Sequence, residues 1–598
     1  MFENIFHALG TIADPFCLGM LAFGVLFGTV IGALPGLGTA VAITICIPFT
    51  LKMGSGPAIT LLLGVYASSI YGGSISAVLL NTPGTPQSAC TGMEGYPMAK
   101  KGQAREALGW VTMSSVLGGL ISCVVLVLAA PTLAALSVKY GGPLEICALI
   151  CMGLACITSL SDDNHVKGIM MGVAGLFLAT IGNDPQTGEM RFTFGSQNLV
   201  SGIDLIPVVV GVFPLAELFY RVYESFSEKA PSVIHCTSMK LPSWSDWKVK
   251  GRISNLLRSS FLGCGLGILP GTGATAATFI AYSSAKRISP ARDNFGKGEP
   301  DGLIAAESSN NAVSGGALVP TLAMGIPGEP TMALMLATLT LHGITPGVRL
   351  MADNPDIVYA TFILLIMANL ALIPAAWICI RGFGKIIAFP TAVLLGFIVI
   401  CSLIGVYLPR SSMFDIWVTL VIGVVAFLMR LTDFPVAPLL IGYVLSNQLE
   451  YRMSQVAIYM GGGSLADYTL EHPVAIVLFA VALILRPEHG FLQFVHIQRV
   501  IGLRGDDLLL EQEAGIDIHH RLRLLDEAGI QQRQLFLRRR GLEQLGDEQR
   551  FVEGGGGFRQ RHRRFGHHDR LVMQHAVVEG VTQLMRQRAD VGGAARKV

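Results

Sequence analysis

The chain has 598 residues, with 43 Lys+Arg against 41 Asp+Glu and 52% hydrophobic residues. Charged residues are 14% of the total, where soluble proteins carry roughly 25%, and the mean hydropathy is +0.56. This composition argues for an integral membrane protein and against a soluble enzyme, a disordered scaffold or a nucleic-acid binder, and a net charge of +2 calls for no polyanionic partner.

A helix needs about 20 apolar residues to cross the hydrocarbon core. Ahead of the first apolar run stand Glu3, His7 and Asp14 but no Lys or Arg, so no secretory signal is expected. The first stretch, 15–50, is broken by Leu34-Pro35-Gly36-Leu37-Gly38. Full spans are expected over 58–80, 108–130, 143–160, 165–182 and 203–220, then a polar segment over 221–258. A second broken stretch, 256–285, carries Leu269-Pro270-Gly271-Thr272-Gly273. Its two arms are too short to cross, which predicts a hairpin that enters and leaves on one side. Residues 303–342 are apolar but interrupted by Gly and Pro, and further spans follow over 358–380, 387–408, 413–429, 433–448 and 473–486. The expected fold is an all-α polytopic membrane protein of about 10–12 transmembrane segments, with re-entrant hairpins and broken helices.

The broken elements are duplicated. The Leu-Pro-Gly-x-Gly turn occurs at Leu34 and again at Leu269. Ser68-Ser69 with Gly72-Gly73 is matched by Ser308-Ser309 with Gly315-Gly316. Asn81-Thr82-Pro83-Gly84-Thr85-Pro86 is matched by Gly325-Ile326-Pro327-Gly328-Glu329-Pro330. The same cues in the same order mark an internal repeat.

Basic loops face the cytoplasm. Lys100, Lys101 and Arg105 follow the Pro-Gly-x-Pro element in the first copy, whereas Lys286, Arg287, Arg292 and Lys297 follow the hairpin in the second. Basic residues from Arg221 to Arg258 fill the segment between the copies. The reversed placement predicts two inverted repeats, residues 1–220 and 259–487, joined by a cytoplasmic linker over 221–258. Two parallel repeats with accidental charge asymmetry are the alternative.

Unpaired backbone at membrane depth persists only where protein covers it or it lines a cavity. Helices broken by Pro and Gly expose free N–H groups that favour an anion, and unwound carbonyls can hold a cation. The candidate substrate-binding residues are Pro35, Gly36, Gly38, Thr39, Asn81, Thr82, Pro83, Gly84 and Thr85 in the first copy. In the second they are Pro270, Gly271, Thr272, Gly273, Thr275, Pro327, Gly328 and Glu329. Ser68, Ser69, Glu307, Ser308, Asn310 and Asn311 are candidate coupling-ion residues, since an intramembrane carboxylate with polar neighbours is a functional site by default. The competing reading is that the glycines only let helices pack closely. Asp204, Glu217 and Asp433, near span ends, read as interfacial. The eleven cysteines are scattered without a CxxC pair and read as apolar packing residues. No GxxxxGK[ST], HExxH or GxSxG element occurs, so neither ATP hydrolysis nor another enzymatic activity is indicated.

These motifs, together with Gly95-Tyr96-Pro97-Met98-Ala99-Lys100-Lys101-Gly102 and Glu307-Ser308-Ser309-Asn310-Asn311, resemble the large membrane subunit of the tripartite tricarboxylate transporter family over residues 1 to about 487. The resemblance implies a multi-pass protein of the bacterial inner membrane that works with a small membrane subunit and a periplasmic solute-binding protein. It implies secondary, ion-coupled uptake of citrate-like tricarboxylates or related organic acids by an elevator-type motion, with Na⁺ or H⁺ as coupling ion and no other cofactor. A stand-alone ion-coupled organic-anion carrier is the runner-up, and a membrane scaffold a third class.

Residues 488–598 depart from that pattern. They hold 33 of the charged residues, 17 Arg against one Lys, and no Ser, Pro, Asn, Tyr, Trp or Cys. An out-of-frame or mis-joined segment, a disordered extension and an interaction domain are the three readings, and the transport argument needs none of them.

Overall fold

The computed structural model describes residues 8–484 apart from 11, 160–164, 185–186, 225–233, 270–272, 348, 388–390 and 462. The readings of the Arg-rich tail lie outside the described residues. Everything described belongs to the unit Met1–Phe494. It is all-α: among the described residues the only sheet is a two-residue antiparallel pair, Gly182–Asn183 with Met190–Arg191.

Helix α1 (Pro15–Gly32) starts where the Asp14 carboxylate accepts the Cys17 N–H at 3.3 Å and Pro15 takes the first helical position. It breaks at the Leu-Pro-Gly element, where Gly36 and Gly38 take φ of +81° and +64°, a region that favours glycine. The chain then doubles back as α2 (Gly38–Thr50). Helix α3 (Ser55–Leu80) ends on Asn81 in the left-handed conformation, φ 56°, which Asn tolerates better than most residues. A short 3₁₀ turn, Pro86–Ser88, leads to α4 (Ala89–Lys100) and α5 (Ala104–Tyr140). Then come α6 (Pro143–Ser159), α7 (His165–Ala179) and α8 (Leu205–Val210), which continues through a π turn, Gly211–Leu215, into α9 (Ala216–Glu224).

The second copy repeats this order. Helices α10 (Arg252–Ile268) and α11 (Gly273–Ile288) flank the second Leu-Pro-Gly element. Helix α12 (Pro300–Met324) ends on Gly325 in the left-handed conformation, φ 74°, the place Asn81 holds in the first copy. Thr85 and Glu329 are both extended residues directly ahead of a first-turn proline, Pro86 or Pro330. After α13 (Pro330–Leu341) follow α14 (Pro355–Ile387), α15 (Thr391–Arg410), α16 (Met413–Leu431), α17 (Val436–Met460) and α18 (Pro473–Ile484).

Six described stretches are long and apolar enough to cross a membrane: α1, α3, α5, the α8–α9 stretch, α14 and α16. Five of these match expected spans, and the sixth, α1, is an 18-residue arm of the first broken stretch. The spans expected over 143–160 and 165–182 become helices of 17 and 15 residues. The one over 433–448 is only the apolar first part of the 25-residue α17. The arms of the second hairpin have 17 and 16 residues. Both its outer ends tie to Asp301: Arg252 Nε lies 3.3 Å from Oδ1, and the Ser289 hydroxyl donates to Oδ2 at 2.7 Å. The hairpin therefore enters and leaves at one end, as expected.

Within lipid, apolar surface gives no drive for helices to associate, so close approach of backbones has to supply it. Gly24, Gly28 and Gly32 recur every four residues on α1 and lie directly on the α3 backbone. A Cβ on Gly28 would sit 2.6 Å from the Val65 carbonyl oxygen. Gly263 on α10 meets Ser309 of α12 in the same manner, and Gly316 meets Cys264. In the first copy Ser68, Ser69 and Gly72 mark the face turned to the hairpin; in the second Ser309 and Gly316 do, while Ser308 and Gly315 pack on α5.

The two central helices run antiparallel. Leu79 and Leu80 share a core cluster with Leu303 and Ile304, Ser74 bonds Glu307 at 2.6 Å, and Leu62 and Leu63 share a cluster with Leu318 and Val319. The copies also exchange neighbours. Helix α5 packs on α12 and α14 on α3, while α2 packs on α13 and α11 on the Pro86–Ser88 turn. The three basic loops gather at one end. Lys101 Nζ donates to the Lys297 carbonyl at 2.6 Å, the Lys240 amide to the Arg105 carbonyl at 2.9 Å, and Lys240 Nζ lies 3.6 Å from Glu106. Glu94 fastens the loop after the hairpin, accepting the Gly298 and Glu299 amides at 2.7 and 2.8 Å and the Tyr282 hydroxyl at 2.7 Å.

Candidate functional site

The broken elements of both copies meet at one cavity of about 700 Å³, within the range of small-molecule sites. Gly36, Gly38, Thr39 and Thr85 line it from the first copy, and Gly273, Thr275 and Glu329 from the second. Its remaining wall comes from Val212, Phe213, Ala216 and Glu217 around the π turn, from Ala426 and Arg430 of α16, and from residues 435–438. Seven candidate substrate residues, separated by up to 293 positions, are thereby brought together.

The cavity is built from helix starts. Helices α2, α11, α13 and α17 all begin at its wall, and α2, α13 and α17 have no side-chain cap on their first amides. Uncapped N–H groups carry partial positive charge toward the cavity. The Thr39 hydroxyl is buried there without a hydrogen-bond partner, and the Thr85 hydroxyl is buried against Gly73 of α3. A buried hydroxyl without a partner costs about 1–3 kcal/mol, and a small reorientation toward an oxygen-rich anion between these helix ends would satisfy that of Thr39. The chemistry on offer is thus multiple weak donation to carboxylates, from main chain and hydroxyls.

Two charged groups on the wall escaped the sequence reading. Glu217, expected to be interfacial, is 5% exposed. It accepts Arg221 Nε at 2.8 Å and also pairs with Arg430. Arg430 stacks over the Tyr220 ring at 4.0 Å. Arg221 also donates to the Pro35 carbonyl, clamping the first Leu-Pro-Gly turn, and a Cβ on Gly36 would collide with its guanidinium. Only tertiary contact reveals this cluster, because Arg221 and Arg430 each stand at the polar end of an apolar run, where cations are unremarkable. By contrast, Asp204 caps α8 through the Leu205 amide at 2.6 Å, and Asp433 sits in a turn at φ 57°.

The other candidates stand behind the wall. Pro35 lends its carbonyl to Arg221, Asn81 is the left-handed cap of α3, and the Thr82 hydroxyl donates to the Leu80 carbonyl at 3.4 Å. Pro83 and Pro327 belong to the turns that fold Gly84 onto Gly73 and Gly328 onto Ala317. The Gly84 amide bonds the Gly73 carbonyl at 3.2 Å, and the Gly328 amide the Thr321 hydroxyl at 3.4 Å. Pro270, Gly271 and Thr272 lie outside the described residues. Ser68 and Ser69 donate to carbonyls of their own helix at 2.7 and 3.2 Å. Glu307 is enclosed, with hydroxyls donated by Ser74 of α3, Thr91 of α4 and Ser115 of α5. Beside it, Ser308 Oγ and both polar atoms of the Asn310 carboxamide are buried without partners. Asn311 Nδ2 donates to Asn369 Oδ1 at 3.3 Å.

A family model described as the tripartite tricarboxylate transporter TctA family matches residues 18–441. A 52.8 kDa protein of the TAR-I ttuC′ 3′ region of Agrobacterium vitis is 34% identical over 483 residues, 81% of this chain and 95% of the relative. A protein of the TAR-II ttuC′ 3′ region of the same organism is 32% identical over 219 residues, 37% of this chain and 90% of the relative. No solved structure matches.

Proposed function

Because the chain belongs to the tripartite tricarboxylate transporter TctA family, as its large membrane subunit, we propose that it imports citrate-like tricarboxylates or related organic acids by secondary, ion-coupled transport. The supporting observation is one cavity where broken-helix elements of both copies present uncapped helix starts and the unpartnered hydroxyl of Thr39. Such a site holds a carboxylate through main-chain dipoles and releases it without breaking a strong ion pair. A small membrane subunit and a periplasmic solute-binding protein complete the system in the bacterial inner membrane, and Na⁺ or H⁺ drives it. The antiparallel run of α3 and α12, the exchanged helix contacts and the gathering of basic loops at one end support an inverted repeat. Alternating access then follows from an elevator-type movement of the hairpins and the cavity they enclose.

Uptake of labelled citrate, tricarballylate and succinate into proteoliposomes, with and without the other two components, tests the reading. Flux that requires the binding protein is the expected result. Equal flux without it makes the chain a stand-alone carrier, and no flux of any acid refutes the assignment.

A further inference from the structure

The cavity contains a carboxylate where an anion is to bind. Glu329 lines the wall, is 6% exposed, and precedes α13 without capping it. Its counterpart in the first copy, Thr85, takes the same extended backbone and lines the same cavity without a carboxylate. A carboxylate is therefore not needed to form this turn. The Glu329 side chain is held by a hydroxyl: Tyr66 of α3 donates to Oε1 at 2.6 Å.

The surrounding charges can be named. Helix α13 packs on α2, α3, α12 and α17. Of the titratable groups on these helices, Tyr66 is the one bonded to Glu329 among the described residues. Glu307 of α12 is held instead by Ser74, Thr91 and Ser115, and residues 436–438 of α17 bring no charge to the wall. Across the cavity stand Glu217 and Arg430, with Arg221 bound behind Glu217. With Glu329 ionised, these four groups sum to zero; with it protonated, they sum to +1. A proton on Glu329 thus turns a neutral cavity into one that attracts an anion and removes a repelling charge from the wall. One carboxylate with one hydroxyl is a poor cage for a metal cation, which takes six or more oxygens in hard-cation sites, but suffices for a proton.

On the reading of the cavity as an organic-anion site, we propose that Glu329 is the coupling-proton site, taking up one proton with each anion from the outer solution and releasing it inside. Proton and anion then stabilise each other's binding, which is the reciprocity that symport requires.

The test uses proteoliposomes of the full chain with its two proposed partners and citrate, tricarballylate and succinate as probes. It compares exchange of labelled for unlabelled acid with net accumulation under an inward pH gradient. One pH unit drives up to about tenfold accumulation per proton carried. Wild type is expected to do both. Glu329→Gln is expected to lose accumulation, its ratio falling to one, and to make the exchange it keeps independent of pH, whereas Glu329→Asp retains accumulation. A monodisperse size-exclusion profile shows that the Gln variant is folded, and wild-type exchange shows that the anion site stands. The proposal is overturned if Glu329→Gln accumulates acid as wild type does. It is also overturned if wild type accumulates only with a Na⁺ gradient, or if Glu329→Gln and Glu329→Asp both lose exchange. Absence of wild-type exchange with every acid removes the anion-site reading itself, and this proposal with it.

Discussion

Replacing Gly36 with Ala should damage the first Leu-Pro-Gly turn in two separable ways. Gly36 has φ +81°, and a left-handed conformation costs an L-residue about 1–2 kcal/mol. The new methyl also occupies the place of the Arg221 guanidinium, whose hydrogen bond holds the Pro35 carbonyl. A hydrogen bond from a charged donor contributes about 1.5–3 kcal/mol. The total is about 2.5–5 kcal/mol, and at 1.4 kcal/mol per factor of ten even the lower bound shifts the turn's population more than tenfold. A double-mutant cycle separates the terms. In an Arg221→Gln background the guanidinium is already gone, so Gly36→Ala should cost only the backbone term, leaving a coupling of about 1.5–3 kcal/mol. Reversible SDS unfolding of the purified chain measures it, and citrate uptake should fall at least tenfold in Gly36→Ala. A coupling below about 0.5 kcal/mol, or uptake within twofold of wild type, would refute the clamp.

Gly28→Ala places a methyl 2.6 Å from the Val65 carbonyl oxygen and 2.8 Å from its Cα. The α1–α3 contact must open, and overpacking should cost about 1–3 kcal/mol in the same unfolding assay. Glu94→Gln leaves one carbonyl to do the work of a carboxylate that accepts the Gly298 and Glu299 amides and the Tyr282 hydroxyl. At least one charge-assisted bond of about 1.5–3 kcal/mol goes, and limited proteolysis should cut the 289–299 loop several times faster than in wild type. In the linker, the Ser243 hydroxyl and then the Ser243 amide hold the Asp246 carboxyl below its usual range. A depressed folded value means that this stabilisation is present above the unfolded value and is lost as pH falls through the folded one. The protection factor of the Ser243 amide should therefore be highest at neutral pH and fall only as pH drops below the ordinary carboxylate range, with Asp246→Asn unprotected throughout.

The duplicated Pro and Gly were legible in the sequence because they act locally: a left-handed cap at Asn81 or Gly325 and a first-turn proline at Pro86 or Pro330 need no partner to be recognised. Hydrophobic runs located the central helices for the same reason. What stayed hidden depends on what faces what. Ser68 and Ser69 have the composition of an ion site, yet their hydroxyls bond to carbonyls of their own helix. Glu217 and Arg430, 213 residues apart, have no shared local signature, so neither revealed that it completes the cavity wall. The span expected over 165–182 runs three residues past the end of its helix at Ala179, where the Thr180 amide turns back onto the Phe177 carbonyl.

The interlocking of the copies sets an order for biogenesis. Ser115 waits 192 residues for Glu307, about 10–40 s at common synthesis speeds of 5–20 residues per second. Through that interval the hydroxyls of Ser74, Thr91 and Ser115 are already synthesised without their carboxylate, and α3 lacks the cover that α14 later brings. The nascent first half is therefore a client for whatever insertase or lipid shelters half-made bundles, and quality control can act on it before the second half exists.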